Sequence, residues 1–375
     1  ATSLHRWPGQ IPSNAQGALD EIHAWKEGLI EQERRRAEAV YAGRDVAYWA
    51  KRFASIGPDR PLRVLGITSR FTTFLQHSMR DLLAAFERAG AQTRLLIEEA
   101  DHFSIPRHRF LAVQAEFEPD LLVVIDHHRF EYERQFLPNV PYVCWIQDEL
   151  VHLFQRDTGA RLGPLDYTMG FGREQCVLQY GYPAGQFMPC KLAINPAKLR
   201  AEPNQTIDEA LRCDIAYVSH QSESPEALHA RMRASINHAP MQAFLDAFFE
   251  QTRELMTSSR FNAAFDLYRL LDEVAAATNM QWTGEPRERL MTLYIRPLAD
   301  RFIRHTTLAW AADWVEATGR TLHLYGRGWE QHPRFGHYAR GVAEHGSHLG
   351  QIARAAGLNL HMGINPALHQ RVLET

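Results

Sequence analysis

The run Leu121-Leu-Val-Val-Ile-Asp126 sets five consecutive apolar residues against a terminal carboxylate. It is short for a helix and lacks the polar alternation of a strand with one wet face, so it reads as a strand covered on both sides. Strands buried on both faces belong to parallel sheets, whose crossovers are usually helices. Similar apolar runs recur at 62–68, 93–97, 142–146, 167–171 and 187–192, and helical patterns at 78–89, 107–117 and 174–180 separate several of them. The expected architecture over residues 59–205 is a Rossmann-like α/β domain.

The pattern repeats with an interruption. A strand at 214–219 is followed by helical stretches at 241–254, 261–278 and 290–318, and strands resume at 321–325 and 358–361. This predicts a second Rossmann-like domain over 206–375, carrying a helical insertion at about 225–318. Phe244, Phe248, Phe249, Phe265 and Tyr268 have helical spacing inside that insertion and are expected in its core. Ahead of both domains, Leu19, Ile22, Trp25, Leu29 and Ile30 mark an amphipathic helix, and Tyr48, Trp49 and Phe53 a second one before Gly57-Pro58. Residues 1–58 are therefore expected to be a helical extension packed on the body, or the end of a longer array that offers a surface to a protein partner. The last residues, 371–375, break off inside a helical pattern, so the second domain is expected to be incomplete at its C-terminus.

Composition removes several classes. Hydrophobic content of 45%, charged content of 23% and a net charge of −3 describe a globular chain without the basic field that nucleic acid requires. No apolar run approaches the ~20 residues of a membrane helix, and the start lacks a signal-peptide pattern. Four scattered cysteines, Cys144, Cys176, Cys190 and Cys213, form no C-x-x-C pair and fit a reducing compartment. A cytoplasmic protein is expected.

Chemistry in such sheets gathers just beyond the carboxyl ends of the strands. Three polar clusters occupy that place in the first domain: Ser69-Arg70-Phe71-Thr72-Thr73, Asp126-His127-His128-Arg129 and Gln147-Asp148-Glu149. Asp148, His127 and His128 are the groups there that can take a proton from a hydroxyl. Asp148 can equally be a helix N-cap. Asp126-His-His-Arg also has the wording of metal ligands, but the sequence shows no third one. In the second domain Ser219-His220-Gln221-Ser222 and Gly326-Arg327-Gly328 follow strands. The glycines let backbone approach closely, and Arg327 offers a guanidinium to phosphate. Each of these also has a plain reading as a loop cap or a tight turn.

The order of Ser69-Arg-Phe-Thr-Thr-Phe74, Glu118-Pro-Asp120, Trp145-Ile-Gln-Asp148, Tyr325-Gly-Arg-Gly-Trp329, Tyr338-x-x-Gly341 and Leu368-His-Gln-Arg-Val-Leu-Glu374 resembles bacterial glycosyltransferases related to the spore-maturation-protein family. The resemblance implies the B-type architecture, two Rossmann-like domains facing a cleft. It implies transfer from a nucleotide-sugar, of UDP type, to a protein or polysaccharide acceptor, with neither metal nor cofactor. Donor phosphates would meet Ser219, His220, Tyr325, Gly326, Arg327, Gly328, His369 and Arg371. The base would lie near Val342, Ala343, His345 and Leu349, and the ribose on Glu374. The acceptor side would carry Ser69, Arg70, Thr72, Thr73 and Gln147. One departure stands out: where many relatives place a first glutamate seven residues before Glu374, this chain has a proline nearby, Pro366. Two alternatives stay open: a nucleotide-sugar epimerase on the same architecture, and a non-catalytic scaffold with a vestigial site.

Overall fold

The computed structural model describes residues 13–71, 73–132, 134–148, 150–191, 193–199, 206–257, 267–363 and 370–373. The chain divides into two compact units, Ala1–Leu192 and Ala193–Thr375. Both are Rossmann-like α/β units built on parallel sheets.

The first unit opens with α1 (Ser13–Val40) and α2 (Val46–Ala54). The sheet and its helices follow as β1 (Arg63–Ile67), α3 (Thr73–Arg88), β2 (Gln92–Leu96), α4 (Arg107–Phe117), β3 (Leu121–Ile125), β4 (Tyr142–Trp145), β5 (Asp166–Gly170), α5 (Arg173–Gln179) and β6 (Phe187–Pro189). Six parallel strands lie in the order β2-β1-β3-β4-β5-β6. From β1 the chain steps outward to β2 and then back past β1 to β3. Right-handed crossovers running in opposite directions place their helices on opposite faces. Packing agrees: Val64, Val123, Ile125 and Trp145 face Met79 and Leu83 of α3, while Leu65, Ile67, Leu122 and Val124 face Phe110, Leu111 and Val113 of α4. The strand at 121–125 has all but its first residue buried, as its apolar run required. The later connections differ from a helix-alternating pattern. Among the described residues, only one-turn 3-10 helices and loops link β3 to β4 and β4 to β5.

The N-terminal helices belong to this unit's core. Ala37 and Tyr41 of the α1 end and Trp49 of α2 are buried in the same cluster as β1 and β3. Polar ties hold them: Tyr41 Oη donates to Pro119 O at 2.8 Å, and Trp49 Nε1 to Asn139 O at 2.8 Å. The buried Arg52 of α2 grips the buried Asp120 at the foot of β3 through two bonds, of 2.9 and 2.6 Å.

In the second unit α6 (Pro196–Leu199) precedes β7 (Cys213–Val218). A run of helices follows: α7 (Pro225–Ala234), α8 (Ala239–Thr257), α9 (Leu267–Ala277), α10 (Gly284–Leu290), a π turn over Met291–Ile295, and α11 (Arg296–Thr318). β8 (Leu322–Tyr325), α12 (Ser347–Ala355), β9 (Ala356–Leu360) and α13 (Gln370–Leu373) close the described chain. The insertion has a core of its own in which Phe244, Phe248 and Phe249 are buried, while Tyr268 packs at its margin and Phe265 lies outside the described residues. Strand order is β8-β7-β9, all parallel. Here too the direction reverses, at β7. Ile215, Tyr217, Leu322 and Leu324 face Leu308, Ala312 and Val315 of α11, whereas Ala216 and Tyr325 pack on Ile352 of α12. No described helix is long and apolar enough to cross a membrane.

Candidate functional site

Where a parallel sheet reverses its winding, the connections from the two adjoining strand tips leave in opposite directions and a crevice opens between them. In the first unit that point lies between β1 and β3. A cavity of about 1030 Å3 occupies it, lined by Ile67, Thr68 and Ser69 beyond β1, Glu98 beyond β2, and Ile125 and His127 beyond β3. Residues 104–108 at the start of α4 form another wall, and Trp25, Lys26 and Ile30 of α1 a further one. The amphipathic face of α1 thus serves two ends: its C-terminal part enters the core, and its middle walls a cavity.

Polar groups at the rim are fixed by a residue the sequence reading overlooked. Glu98 is buried; Ser69 Oγ donates to its Oε1 at 2.8 Å, and Arg70 N to its Oε2 at 2.8 Å. Its only sequence signal was a place just past the apolar run that became β2. Of the expected acceptor-side residues, Ser69 lines the cavity and Arg70 is tied beside it through Nε to Glu98 O. Thr72 lies outside the described residues, as does the side chain of Thr73.

The three proton-transfer candidates separate. His127 lines the cavity. His128 does not: it is 1% exposed and its Nε2 meets Tyr182 Oη at 2.9 Å. That hydroxyl donates to Leu153 O at 2.8 Å, so its oxygen is left to accept and the imidazole is the neutral Nε2–H form. Asp148 is exposed at the β4 tip and is not the N-cap of the following 3-10 turn, Val151–Leu153, where Leu150 takes that place. Its amide N–H and that of Gln147 both donate to Asp126 Oδ1, at 3.1 and 2.6 Å. Asp126 reaches them from a left-handed backbone with φ 58°, which an aspartate tolerates better than most residues. Its other oxygen, Oδ2, is buried without a hydrogen-bond partner, as is Gln147 Oε1. Arg129 is structural: its guanidinium pairs with Asp166 at 2.6 Å and with main-chain carbonyls of the β3–β4 connection.

Two pKa shifts here run in opposite senses. Burial pushes the Asp126 carboxyl up to about 6, against the two amide bonds that favour its charge. Burial also lowers His128, to about 4. For Asp126 the folded value lies above the unfolded one, so its stabilising contribution is present below about pH 4 and lost as pH rises through 6. For His128 the contribution is present above about pH 6.5 and lost as pH falls through 4. Each is worth about 3 kcal/mol, from a shift of roughly two units, and between pH 4 and 6 they offset one another. Asp126→Asn removes only the first. The unfolding free energy of the wild type minus that of Asp126→Asn is expected to be about 3 kcal/mol larger at pH 4 than at pH 7, in urea titrations at the two values. A difference that stays constant with pH would show that this carboxyl is not desolvated.

Sequence reading also found no third partner for a metal in the Asp126–Arg129 run. Folding supplies two candidates: His127 Nδ1 lies 2.7 Å from Glu131 Oε2, and His152 Nε2 lies 3.4 Å from the same oxygen.

In the second unit Ser219, His220, Gly326, Arg327 and Gly328 meet at one place. Beyond β7 and β8, Arg327 N donates to His220 Nδ1 at 3.0 Å, Gln221 N to Arg327 O at 3.0 Å, and Trp329 Nε1 to Ser219 O at 2.7 Å. The glycines serve this contact. Gly326 sits at φ +149°, and a Cβ there would come 2.1 Å from Ser219 O. The close approach expected between backbone and ligand is therefore an approach of two strand tips. The N–H groups of Gly326 and Arg327 are engaged by Gly341 O and His220 Nδ1. Arg327 is exposed there. Arg304 of α11, unnoticed in the sequence, donates to Ser219 Oγ at 2.9 Å while its Nε lies 2.8 Å from Asp300.

The remaining donor candidates scatter. Tyr325 is 1% exposed and belongs to the core under the loop. Val342 is exposed, Ala343 packs on the Tyr325–Ile352 cluster, His345 is half-buried and Leu349 is buried on α12. Gly341 follows only an isolated bridge between Leu324 and Ala339. Arg371 falls on α13 with its side chain outside the described residues, and His369 and Glu374 lie outside them altogether. Comparison with protein-family models, with curated proteins and with solved structures returned no match.

Proposed function

We propose that the protein is a nucleotide-sugar-dependent glycosyltransferase, with the donor on the second unit and the acceptor on the first. The observation that carries this reading is the meeting of Ser219, His220 and Gly326-Arg327-Gly328 at the carboxyl ends of β7 and β8, with Arg304 held against Ser219 from α11. A departing nucleoside diphosphate carries about two negative charges, and guanidinium groups stabilise it by charge-assisted, bidentate bonds. Arg327 supplies an exposed guanidinium and Arg304 one pre-oriented by Asp300. The cavity beyond β1 and β3, apolar on several walls and polar at Ser69, Glu98 and His127, is the proposed acceptor pocket.

Thermal unfolding with a panel of UDP-, GDP-, TDP- and CMP-sugars tests the donor half. A ligand present at one hundred times its dissociation constant is expected to stabilise the fold by about 2.7 kcal/mol. Arg327→Ala is expected to weaken that ligand by roughly 10- to 100-fold, the worth of one charged hydrogen bond of about 1.5–3 kcal/mol. A panel without any stabilising member would favour the scaffold reading.

A further inference from the structure

We propose that His127, Glu131 and His152 form a divalent-metal site of the open, three-ligand kind that suits Zn2+, beside the cavity that His127 lines. The two imidazoles lie nearly parallel, with ring centres 5.1 Å apart and 10° between planes. Both present a nitrogen to one carboxylate oxygen, Glu131 Oε2, and the three ligand atoms all fall within 4.8 Å of one another. Two histidines and a carboxylate with a vacant position are a catalytic zinc donor set. Bonds of about 2.0–2.2 Å in tetrahedral geometry separate ligand atoms by roughly 3.3 Å. The 3.4 Å between His152 and Glu131 already fits; the 2.7 Å between His127 and Glu131 needs to open by roughly 0.6 Å.

Glu131 and the backbone of His127 are held from behind, as metal ligands need to be. Glu131 Oε1 accepts the amide N–H of His128 at 2.6 Å, which leaves Oε2 for the site. Tyr142 Oη donates to His127 O at 2.9 Å and fixes that turn of chain. His152 Nε2 also lies 2.8 Å from Asp126 O, and His127 Nδ1 is hydrogen-bonded to Glu131, so both would-be ligand nitrogens carry hydrogen bonds in the metal-free protein. In the metal-free protein, protons bridge these groups. Metal replaces them: each neutral imidazole moves its proton to its other ring nitrogen and presents a lone pair. His127 is then a ligand and not a base, and the open position accepts water or an oxygen of whatever occupies the cavity. The site is confined to the first unit and does not depend on the donor reading.

The probe is Co2+ titrated into the metal-free full chain and followed by visible absorption, with Zn2+ as competitor. Expected are one equivalent of Co2+ with ligand-field bands of low coordination number, displaced by Zn2+. Glu131→Gln and His152→Ala are each expected to weaken binding at least tenfold while their metal-free circular dichroism matches the wild type. His102→Ala, an exposed histidine elsewhere, leaves binding unchanged. No cobalt bands together with no zinc retained in equilibrium dialysis overturns the site. So does binding that survives either variant, which would place the metal among the other histidines.

Discussion

Arg52→Met is expected to cost the first unit about 3–5 kcal/mol in urea unfolding, among the largest effects of any single substitution in this chain. The reason is the charge left behind. Asp120 is 1% exposed, and two of its three strong partners are Arg52 Nε and Nη2, at 2.9 and 2.6 Å. The third, Arg63 N at 2.9 Å, cannot neutralise it. Arg52 also donates to Pro61 O at 2.6 Å, so the pair joins α2, the entry to β1 and the foot of β3 at one point. Removing both charges tests the mechanism. Arg52→Met with Asp120→Asn is expected to recover part of the loss, because the dominant penalty is an uncompensated buried carboxylate and not a missing attraction. A double variant as unstable as the single one would mean the guanidinium acts mainly by packing.

Gly326→Ala is expected to destabilise the second unit by roughly 3 kcal/mol or more and to abolish nucleotide-sugar binding with it. Its Cβ would lie 2.1 Å from Ser219 O, 2.6 Å from Ser219 C and 2.9 Å from His220 Cα, all of them backbone atoms, at a φ of +149°. Only a separation of the β7 and β8 tips relieves this, and it breaks the bonds from Gln221 N to Arg327 O and from Trp329 Nε1 to Ser219 O. Gly328→Ala provides the contrast. There the nearest atoms are side-chain atoms of Gln221 at 3.2 Å, which can move, so a smaller loss is expected from the strained φ of +89°. Equal losses at both positions would mean that backbone conformation, and not contact with Ser219, sets the requirement for glycine.

These two cases show what a sequence of this kind discloses. Continuous apolar runs such as 121–125 announce buried parallel strands because few other elements tolerate apolar residues on both faces. The helical insertion was legible for the same reason: Phe244, Phe248 and Phe249 repeat at the period of a helix and pack as it requires. Proximity in space is another matter. Glu98 and Ser69 are 29 residues apart and Arg304 and Ser219 are 85 apart; nothing local marks either pair. Glu131 is four residues from His127, a spacing that marks no site alone, and the other partner, His152, comes from beyond β4. The Gly-Arg-Gly segment was recognised as a place of close approach, but the sequence could not say that the approaching group is the chain itself. His128 was read beside His127 as a base, and burial against Tyr182 sets it apart.

The proposed function requires that a nucleotide-sugar diphosphate be held at the β7 and β8 tips. Hydrogen exchange read by mass spectrometry, with and without the nucleotide-sugar that stabilises most, addresses it directly. Slowed exchange in peptides covering 213–222 and 322–329, lost in Arg327→Ala, is the expected result. Slowing confined to Ala1–Leu192, or identical slowing in the variant, would contradict the claim.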